Sequence, residues 1–311
     1  MLHKKLFVFI TFFLLQFNKF VLNLHDVKNS TQGSLVNEVR KDDSNEYTFL
    51  ITSGYRPEHP SLTKHVVSLR AGRHRHYFGD NHFCAGTIMT PRIIITAAHC
   101  LCKIDSRERW SPNVITVVAG TPKRLIATDK TQILKVHKII RHTYYNPKSL
   151  RNDIGILILS SSIKEDNETA QRIDVAYKKP EPNTPCTVLG WGRIMSDGPM
   201  PNEALYVNIT ILDEKKCGIY KNLAHGMLCA GDPRDFTKDA CQADSGGPMF
   251  CNNVLTGVVS FGIGCGDPRA PGVYTDVSAY IKWIEQNYSN KLSPDITFIQ
   301  AVLLVILLNY F

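Results

Sequence analysis

The sequence lacks the marks of several large protein classes. Only 21% of its 311 residues are charged and 43% are hydrophobic, a balance that excludes a disordered chain. It has no collagen-like period, internal repeat or low-complexity stretch, and too few long apolar runs for several membrane spans. Because neither a phosphate-cradling glycine loop nor a convincing four-ligand zinc spacing occurs, the sequence indicates neither a nucleotide nor a structural zinc.

The cysteine content and the charge narrow the class further. Nine cysteines are too few for a small disulfide scaffold, yet they are many for a cytosolic enzyme. The 36 basic residues exceed the 28 acidic ones and leave a formal charge of +8. This charge favours acidic partners but is a weak argument for nucleic acid, and no nucleic acid is predicted. The length accommodates two average domains or one large β unit with appended ends.

The N-terminal residues have the pattern of an export signal. Two lysines precede an apolar run at 6–15, which predicts a secretory signal peptide over residues 1–26. The cleavage site is poorly defined, so an uncleaved anchor that spans 6–24 is a second interpretation. Residues 27–50 are polar and without a sustained period, and we interpret them as a pro-segment or linker.

Four glycosylation sequons support passage through the secretory pathway. Their acceptor residues are Asn29, Asn167, Asn208 and Asn287. Single sequons occur by chance, but four of them beside a signal and nine cysteines are harder to dismiss. We therefore expect a protein that is secreted or attached to the outer cell surface.

The C-terminal residues 291–311 form a hydrophobic tail. Residues 296–311 are interrupted by only three polar side chains, and no basic residue follows them. Three interpretations stay open: a GPI-attachment signal that is removed, a short tail anchor, or an amphipathic or buried extension. Membrane attachment is favoured among the three.

The middle of the chain has the texture of an all-β protein. Short β-branched runs are separated by turn residues, which argues for a barrel or sandwich rather than alternating strands and helices. Apolar residues at helical spacing predict one helix, at 278–288. The predicted strands are 64–69, 86–89, 93–96, 114–119, 133–139, 154–159, 187–190, 205–211, 254–261 and 273–275.

Three short segments carry residues suited to nucleophilic catalysis. His99 lies near the end of the apolar segment ITAAHC, Asp153 is the second residue of the segment NDIGIL, and Ser245 lies in the glycine-rich segment DSGGP. A serine hydroxyl is a poor nucleophile at neutral pH unless an adjacent base activates it, and that base needs an orienting acceptor. Taken singly, each residue also fits a purely structural role, as a capping aspartate, a core histidine or a turn serine. In these combined contexts chance is remote.

These segments resemble the trypsin-like serine peptidases, whose chain order of His, Asp and Ser is also kept. The resemblance covers roughly residues 51–288, within a peptidase domain predicted at 51–290, and implies two six-stranded antiparallel β-barrels with a C-terminal helix. It implies that His99 is the general base, Asp153 its orienting carboxylate and Ser245 the nucleophile of a serine endopeptidase. An acyl-enzyme mechanism of this kind requires no metal or organic cofactor.

The resemblance also implies four disulfides. By family position, Cys102 is left over, and we interpret it as a buried free thiol, with an intermolecular bridge as the alternative. Closing such loops typically contributes about 2–4 kcal/mol each. The implied pairs are Cys84 with Cys100, Cys186 with Cys251, Cys217 with Cys229, and Cys241 with Cys265.

Substrate preference follows from the same resemblance. Asp239 stands where the family places the base of the primary pocket, Gly262 and Gly272 match the pocket walls, and Ser260 matches a residue that positions the triad aspartate. This implies cleavage after Arg or Lys in protein or peptide substrates. The alternative is a surface Asp239 beside Lys238.

The sequence departs from the family at the oxyanion hole. The hole should comprise the N–H groups of Ala243 and Ser245, but Ala243 replaces the usual glycine. Losing one such donor typically costs roughly 10²–10³-fold in rate. We therefore expect activity that Ala243 impairs, with a silent homologue that acts as a binding or regulatory module as the alternative.

A second departure concerns activation of the zymogen. The resemblance implies that cleavage frees Ile51, whose ammonium pairs with Asp244. Leu50 precedes that bond where relatives carry a basic residue, so a trypsin-like activator is not expected to cut there. Either a protease that prefers Leu or Phe makes the cut, or the chain stays a zymogen. The resemblance nevertheless implies an activating protease and protein inhibitors as partners.

A basic, histidine-rich run precedes the first disulfide cysteine. We interpret it as a solvated loop, with an exosite for an acidic partner or a metal site as alternatives. Its members are Arg70, Arg73, His74, Arg75, His76 and His82.

Overall fold

The computed structural model describes residues 54–58, 61–74, 76–103, 108–220 and 223–289. The predicted signal peptide, pro-segment and hydrophobic tail lie outside these residues, as do Leu50 and Ile51. Within the described ranges, no helix is both long and apolar enough to cross a membrane.

The first half of the described chain is a closed antiparallel barrel in the order β1-β2-β3-β6-β5-β4. Isoleucine, valine and leucine side chains fill its interior, where alternation along each strand directs them. Its strands are β1 (Val66–Ala71), β2 (His82–Thr90), β3 (Ile93–Thr96), β4 (Ile115–Ala119), β5 (Gln132–Arg141) and β6 (Gly155–Leu159).

The second half is a closed antiparallel barrel in the order β10-β11-β12-β9-β8-β7. The predicted fold class, two six-stranded antiparallel barrels, is therefore confirmed. Its strands are β7 (Pro185–Gly190), β8 (Leu205–Ile211), β9 (Met227–Gly231), β10 (Pro248–Cys251), β11 (Val254–Phe261) and β12 (Gly272–Asp276).

The chain ends its described part in one short helix, α1 (Ile281–Ser289). The predicted helix began earlier, but Val277–Tyr280 forms a 3₁₀ turn instead. That turn begins at Asp276, whose carboxylate accepts from the Ser278 N–H at 3.0 Å, an N-cap bond. Ile284 is buried in the apolar cluster that includes the core of the first barrel, and the Trp283 ring centre lies 5.0 Å from that of His142, so the C-terminal helix packs back on the N-terminal half.

All four implied disulfides are present, namely Cys84–Cys100, Cys186–Cys251, Cys217–Cys229 and Cys241–Cys265. Cys102 is buried and free, as interpreted from the sequence. Its thiol lies 3.3 Å from the Ala98 carbonyl oxygen, to which it donates.

The interpretation of the basic run as a solvated loop is wrong for two of its residues. Arg70 lies within β1, His82 is the first residue of β2, and both side chains are buried. Arg73, His74 and His76 are exposed, as expected of a loop, and Arg75 lies outside the described residues.

Candidate active site

His99 follows the buried strand β3 after two alanines and opens a short 3₁₀ turn, His99–Leu101. Ile94 and Ile95 anchor the strand with completely buried side chains, and Cys100 ties the turn to β2 through its disulfide. The histidine ring is thus fixed at both ends of its segment but keeps part of its surface exposed.

Asp153 precedes β6, the strand that pairs with β3, and this pairing brings its carboxylate to His99. One carboxylate oxygen accepts from the His99 N–H at 2.9 Å, and the other lies 2.7 Å from His99 Nδ1. Since an ionised carboxylate only accepts, Nδ1 carries the proton and Nε2 is left with a lone pair. A histidine held in this way can accept a proton through Nε2.

The second barrel also contributes to this pair. The Ser260 hydroxyl on β11 donates to the Asp153 carboxylate at 2.6 Å, and the Thr275 hydroxyl on β12 donates to the Asp153 carbonyl at 2.8 Å. The aspartate is therefore fixed by groups from both barrels. Burial by itself lowers the pKa of His99, but the charge and hydrogen bond of Asp153 outweigh burial and raise that pKa above its usual value.

Ser245 lies in the turn that leads into β10. Its carbonyl accepts from the Ala85 N–H on β2 at 2.9 Å, which joins the turn to the first barrel. The turn needs Gly246, because φ there is 76° and a Cβ would lie 2.1 Å from the Thr96 hydroxyl oxygen. The serine is thus presented on a turn that both barrels constrain.

Ala243 has a φ of 76°, in the left-handed region. This conformation costs a non-glycine residue about 1–2 kcal/mol. The carbonyls on both sides of its N–H are engaged: the Gln242 carbonyl accepts from the Arg193 N–H at 2.8 Å, and the Ala243 carbonyl lies 3.1 Å from His82 Nε2. These bonds hold the strained turn in one conformation.

A cavity of about 200 Å³ adjoins Ser245 and is lined by Asp239 and Ser260. Asp239 is 3% exposed, so the alternative of a surface aspartate beside Lys238 is wrong. Lys238 instead pairs with Asp232 at 3.2 Å. A carboxylate that lines a cavity of this size can pair with a long cationic side chain that enters it.

The environment of Asp239 supplies few donors. The Ala240 N–H donates to its carboxylate at 2.8 Å, and the Tyr274 hydroxyl lies at 3.4 Å. Burial raises the pKa of Asp239 to about 7, although these donors oppose the rise. A Cβ on Gly272 would lie 2.3 Å from a carboxylate oxygen, and one on Gly262 would lie 3.3 Å from the other. Side chains at either glycine would therefore obstruct the carboxylate.

Asp244 is completely buried beside the Ser245 turn. Its two carboxylate oxygens accept from the Gly192 N–H at 2.7 Å and the Cys241 N–H at 3.0 Å. Burial raises its pKa to about 6, against the effect of these two bonds. Among the described residues no cation pairs with it, and its predicted partner Ile51 lies outside them.

Several residues that hold this site together carry no signal in the sequence, because they act through contacts between residues far apart in the chain. They are Thr275, Tyr274, Arg193 and His82, the last of which the sequence assigned to a solvated loop. No local sequence pattern marks such contacts, because they depend on how the barrels are placed. Within the described part, the donor atoms of Cys84, His99 and Cys100 also cluster, but the two thiols are joined to each other and form no metal site.

Three of the predicted glycosylation acceptors can be placed. Asn167 and Asn208 are exposed, and Asn287 is half-buried on α1 with its amide nitrogen 2.8 Å from the Trp283 carbonyl oxygen. Asn29 lies outside the described residues.

Comparison with known proteins gives consistent results. The sequence model of the family described as Trypsin matches residues 51–284. Trypsin eta of Drosophila melanogaster is 35% identical over 226 residues, which cover 71% of this chain and 82% of the relative. Serine protease 1 of Homo sapiens is 35% identical over 238 residues, with coverage of 76% and 88%. Hypodermin-B of Hypoderma lineatum is 37% identical over 215 residues, with coverage of 67% and 79%.

Proposed function

The chain belongs to the trypsin family of serine proteases, and on this premise we propose that it is an extracellular serine endopeptidase that cleaves after Arg or Lys. The observation that carries the proposal is the buried Asp239 carboxylate, which lines the same cavity as Ser245. A substrate guanidinium or ammonium in that cavity supplies a positive charge that can pair with the Asp239 carboxylate.

In the proposed mechanism, the Ser245 hydroxyl attacks the substrate carbonyl and His99 Nε2 takes its proton. His99 then returns the proton to the leaving amine, and an acyl-enzyme remains on Ser245. Water attacks the acyl group by the same route and restores the serine. Asp153 keeps the imidazole in the required tautomer throughout, since it accepts from Nδ1 at 2.7 Å.

The tetrahedral intermediate carries an oxyanion that the N–H groups of Ala243 and Ser245 stabilise in this proposal. Activation requires a cut before Ile51 by a protease that accepts Leu50, after which the new ammonium pairs with Asp244. The positive charge of that ammonium would stabilise the ionised form of the buried Asp244 carboxylate. Secretion, glycosylation at the four sequons and attachment through residues 291–311 complete the proposal for an outer-surface enzyme.

A silent homologue is the second candidate function, favoured by the left-handed Ala243 and by Leu50. Such a protein would bind peptides in the same cleft without hydrolysing them. Changing Ala243→Gly separates the two candidates. A large gain in hydrolysis means that the natural oxyanion hole is impaired, whereas no gain means that Ala243 is not limiting.

The test uses the full chain with the recognition sequence of a specific processing protease inserted immediately before Ile51. After the cut, turnover of a peptide amide that ends in Arg is measured, with Ser245→Ala, processed identically, as the blank. Turnover above the blank that is lost in Asp239→Ser supports the proposed enzyme. A folded and correctly cut protein without turnover overturns it.

A further inference from the structure

An apolar groove lies on the first barrel, where the described part of the chain ends. Its volume is about 490 Å³, within the range of roughly 300–1,000 Å³ in which protein pockets hold a ligand. Its apolar lining comes from Pro91, from Ile93 on β3, from Ile158 on β6 and from Tyr288 on α1. Because Tyr288 is the next-to-last residue of α1, the following segment of the chain leaves the helix beside the groove.

The groove and the catalytic residues lie at opposite ends of the same two strands. His99 follows the end of β3, and Asp153 precedes the start of β6. Ile93 and Ile158, which pair with each other, lie at the other ends of these strands. A strand rises about 3.3 Å per residue, so the length of β3 separates the groove from the catalytic pair by roughly 10 Å or more.

The residues that follow the helix alternate between polar and apolar side chains. From 291 to 298 the sequence reads KLSPDITF, in which single polar residues separate Leu292, Pro294, Ile296 and Phe298. Such alternation is typical of an extended segment that buries one face. Both barrels are closed and offer this segment no free strand edge, and Pro294 lacks the N–H for such pairing. The segment is therefore suited to be held by its side chains, as in a groove.

The polar part of the groove is basic. Arg92 and His137 line it, and Arg92 Nε and Nη2 donate to the Leu159 carbonyl at 3.2 and 3.0 Å, which fixes the guanidinium there. In the part of the chain that the structure describes, no carboxylate forms an ion pair with Arg92. Asp295 is the only acidic residue after Glu285, and it lies on the polar face of the alternating segment. The charges of the groove and of the segment are thus complementary.

We propose that residues 291–298 lie extended in this groove, with Leu292, Pro294 and Ile296 against its apolar lining and Asp295 beside Arg92. An extended chain covers at most about 3.3–3.6 Å per residue, so Leu292 lies within roughly 10 Å of the end of α1. No linker is needed between the helix and the groove. The first part of the C-terminal tail is then an element of the peptidase unit, held by burial of its apolar face.

The inference goes beyond the proposed function, because it holds whether or not the protein hydrolyses peptides. Only residues 299–311, whose apolar side chains are nearly continuous, remain for attachment to a membrane. Since the groove lies at the end of β3 and β6 opposite the catalytic pair, a protein held by these residues directs its cleft away from the membrane.

The first experiment compares the two faces of the segment in the full chain. Purified in mild detergent with Ser245→Ala to prevent self-digestion, Leu292→Asp and Ile296→Asp should lower the unfolding temperature by about 3–10 °C. Ser293→Asp and Thr297→Asp are the matched controls, because they add the same charge one residue away. They should change the unfolding temperature by less than about 2 °C. Equal shifts for both pairs would overturn the proposal.

The second experiment links these losses to the groove. Ser162 is exposed and lines it, so Ser162→Trp should fill the groove and exclude the segment. In that background Leu292→Asp should produce less than about a third of its usual shift. The neighbouring exposed Ser161 does not line the groove, and Ser161→Trp should leave the shift unchanged. An undiminished shift with Ser162→Trp would mean that the segment binds elsewhere, and the proposal would fail.

The third experiment locates the segment directly. A benzophenone amino acid at position 296, upon irradiation, should form a covalent link within one molecule to the peptide that contains Arg92 or the one that contains His137. The yield should exceed that from position 297 about 5-fold. Links to a second copy or to detergent, or an intact mass without residues 290–311, would each overturn the proposal. None of these readouts requires hydrolysis, so failure of the proposed function and failure of this inference are distinguished.

Discussion

Asp153 and Asp239 are two buried aspartates near one active-site turn, and their surroundings differ. The Asp153 carboxylate accepts from the His99 N–H, His99 Nδ1 and the Ser260 hydroxyl, all within 2.9 Å. Asp239 accepts from the Ala240 N–H at 2.8 Å, has further donors in the Gly266 N–H and the Tyr274 hydroxyl, and lines a cavity. A carboxylate surrounded by donors is a fixed part of the machinery, whereas one that lines open space is prepared to receive a cation from outside.

The difference predicts that the two aspartates fail in different kinetic parameters. Removing a fixed orienting charge should affect the chemical step, while removing a receptor charge should affect recognition of the substrate cation. Each prediction below breaks or sharpens this comparison.

The largest effect is expected from Asp153→Asn. An amide at this position can donate to Nδ1 and so favours the wrong tautomer of His99, which typically costs roughly 10⁴-fold in kcat. Because Asp153 raises the pKa of His99, the acid limb of the pH–rate profile should also move to lower pH. Initial rates between pH 5 and 9 measure both. A fall confined to KM would contradict the assigned role.

A smaller loss is expected from Asp239→Ser. The substrate cation would then be buried without a partner, so kcat/KM for a peptide amide ending in Arg should fall roughly 10²–10³-fold. A matched amide ending in Phe should lose little. Asp235→Ser, at an exposed aspartate nearby, is the control. Equal losses for the Arg and Phe amides would show that Asp239 does not read the charge.

The third effect concerns the bond that links the two regions. Ser260 lines the Asp239 cavity and donates to Asp153 at 2.6 Å. A hydrogen bond to a charged group contributes about 1.5–3 kcal/mol, and His99 keeps its own two bonds to Asp153, so Ser260→Ala should lower kcat about 10-fold. Steady-state kinetics beside the exposed control Ser160→Ala would test this. An unchanged kcat would mean that His99 alone suffices to hold Asp153.

The sequence predicted these two aspartates, but not everything that surrounds them. His99, Asp153 and Ser245 each lie in a short recognisable segment, Asp239 follows from its position in the family pattern, and the four disulfides give an independent check. The buried hydrogen bonds that join the Ser68 hydroxyl to Arg70 and His82 were not predicted. They depend on an irregular β1–β2 register, in which a shift between Leu69 and Arg70 sets Arg70 opposite His82.

The strands were predicted unevenly for a similar reason. Ten of the twelve appear as β-branched runs, and three of these have the predicted bounds. The segments MLCAG of β9 and PMFC of β10 contain no β-branched residue and were missed. Both are buried and paired on each side, so the completed barrel rather than local preference makes them strands.

The last prediction concerns stability. Replacing the Asp239 carboxylate should raise the stability of the fold, although it lowers activity towards Arg substrates. Burial raises the pKa of Asp239 to about 7, whereas the unfolded chain releases this proton near about 4. The folded state therefore binds more protons between these values, and stability falls as the pH rises from about 4 to 7. Asp239→Asn removes this dependence, because an amide does not ionise.

We therefore expect Asp239→Asn to unfold at a higher temperature than the unsubstituted chain at pH 8, by a margin worth about 1–4 kcal/mol at most. The margin should shrink most of the way to zero at pH 4, where the aspartate is protonated in the folded state and about half protonated in the unfolded chain. Scanning calorimetry at both pH values measures it, with Ser245→Ala backgrounds to prevent self-digestion. A margin that is equal at pH 4 and pH 8 would mean that the Asp239 carboxylate is not held at a cost, and the contrast with Asp153 would then rest on recognition alone.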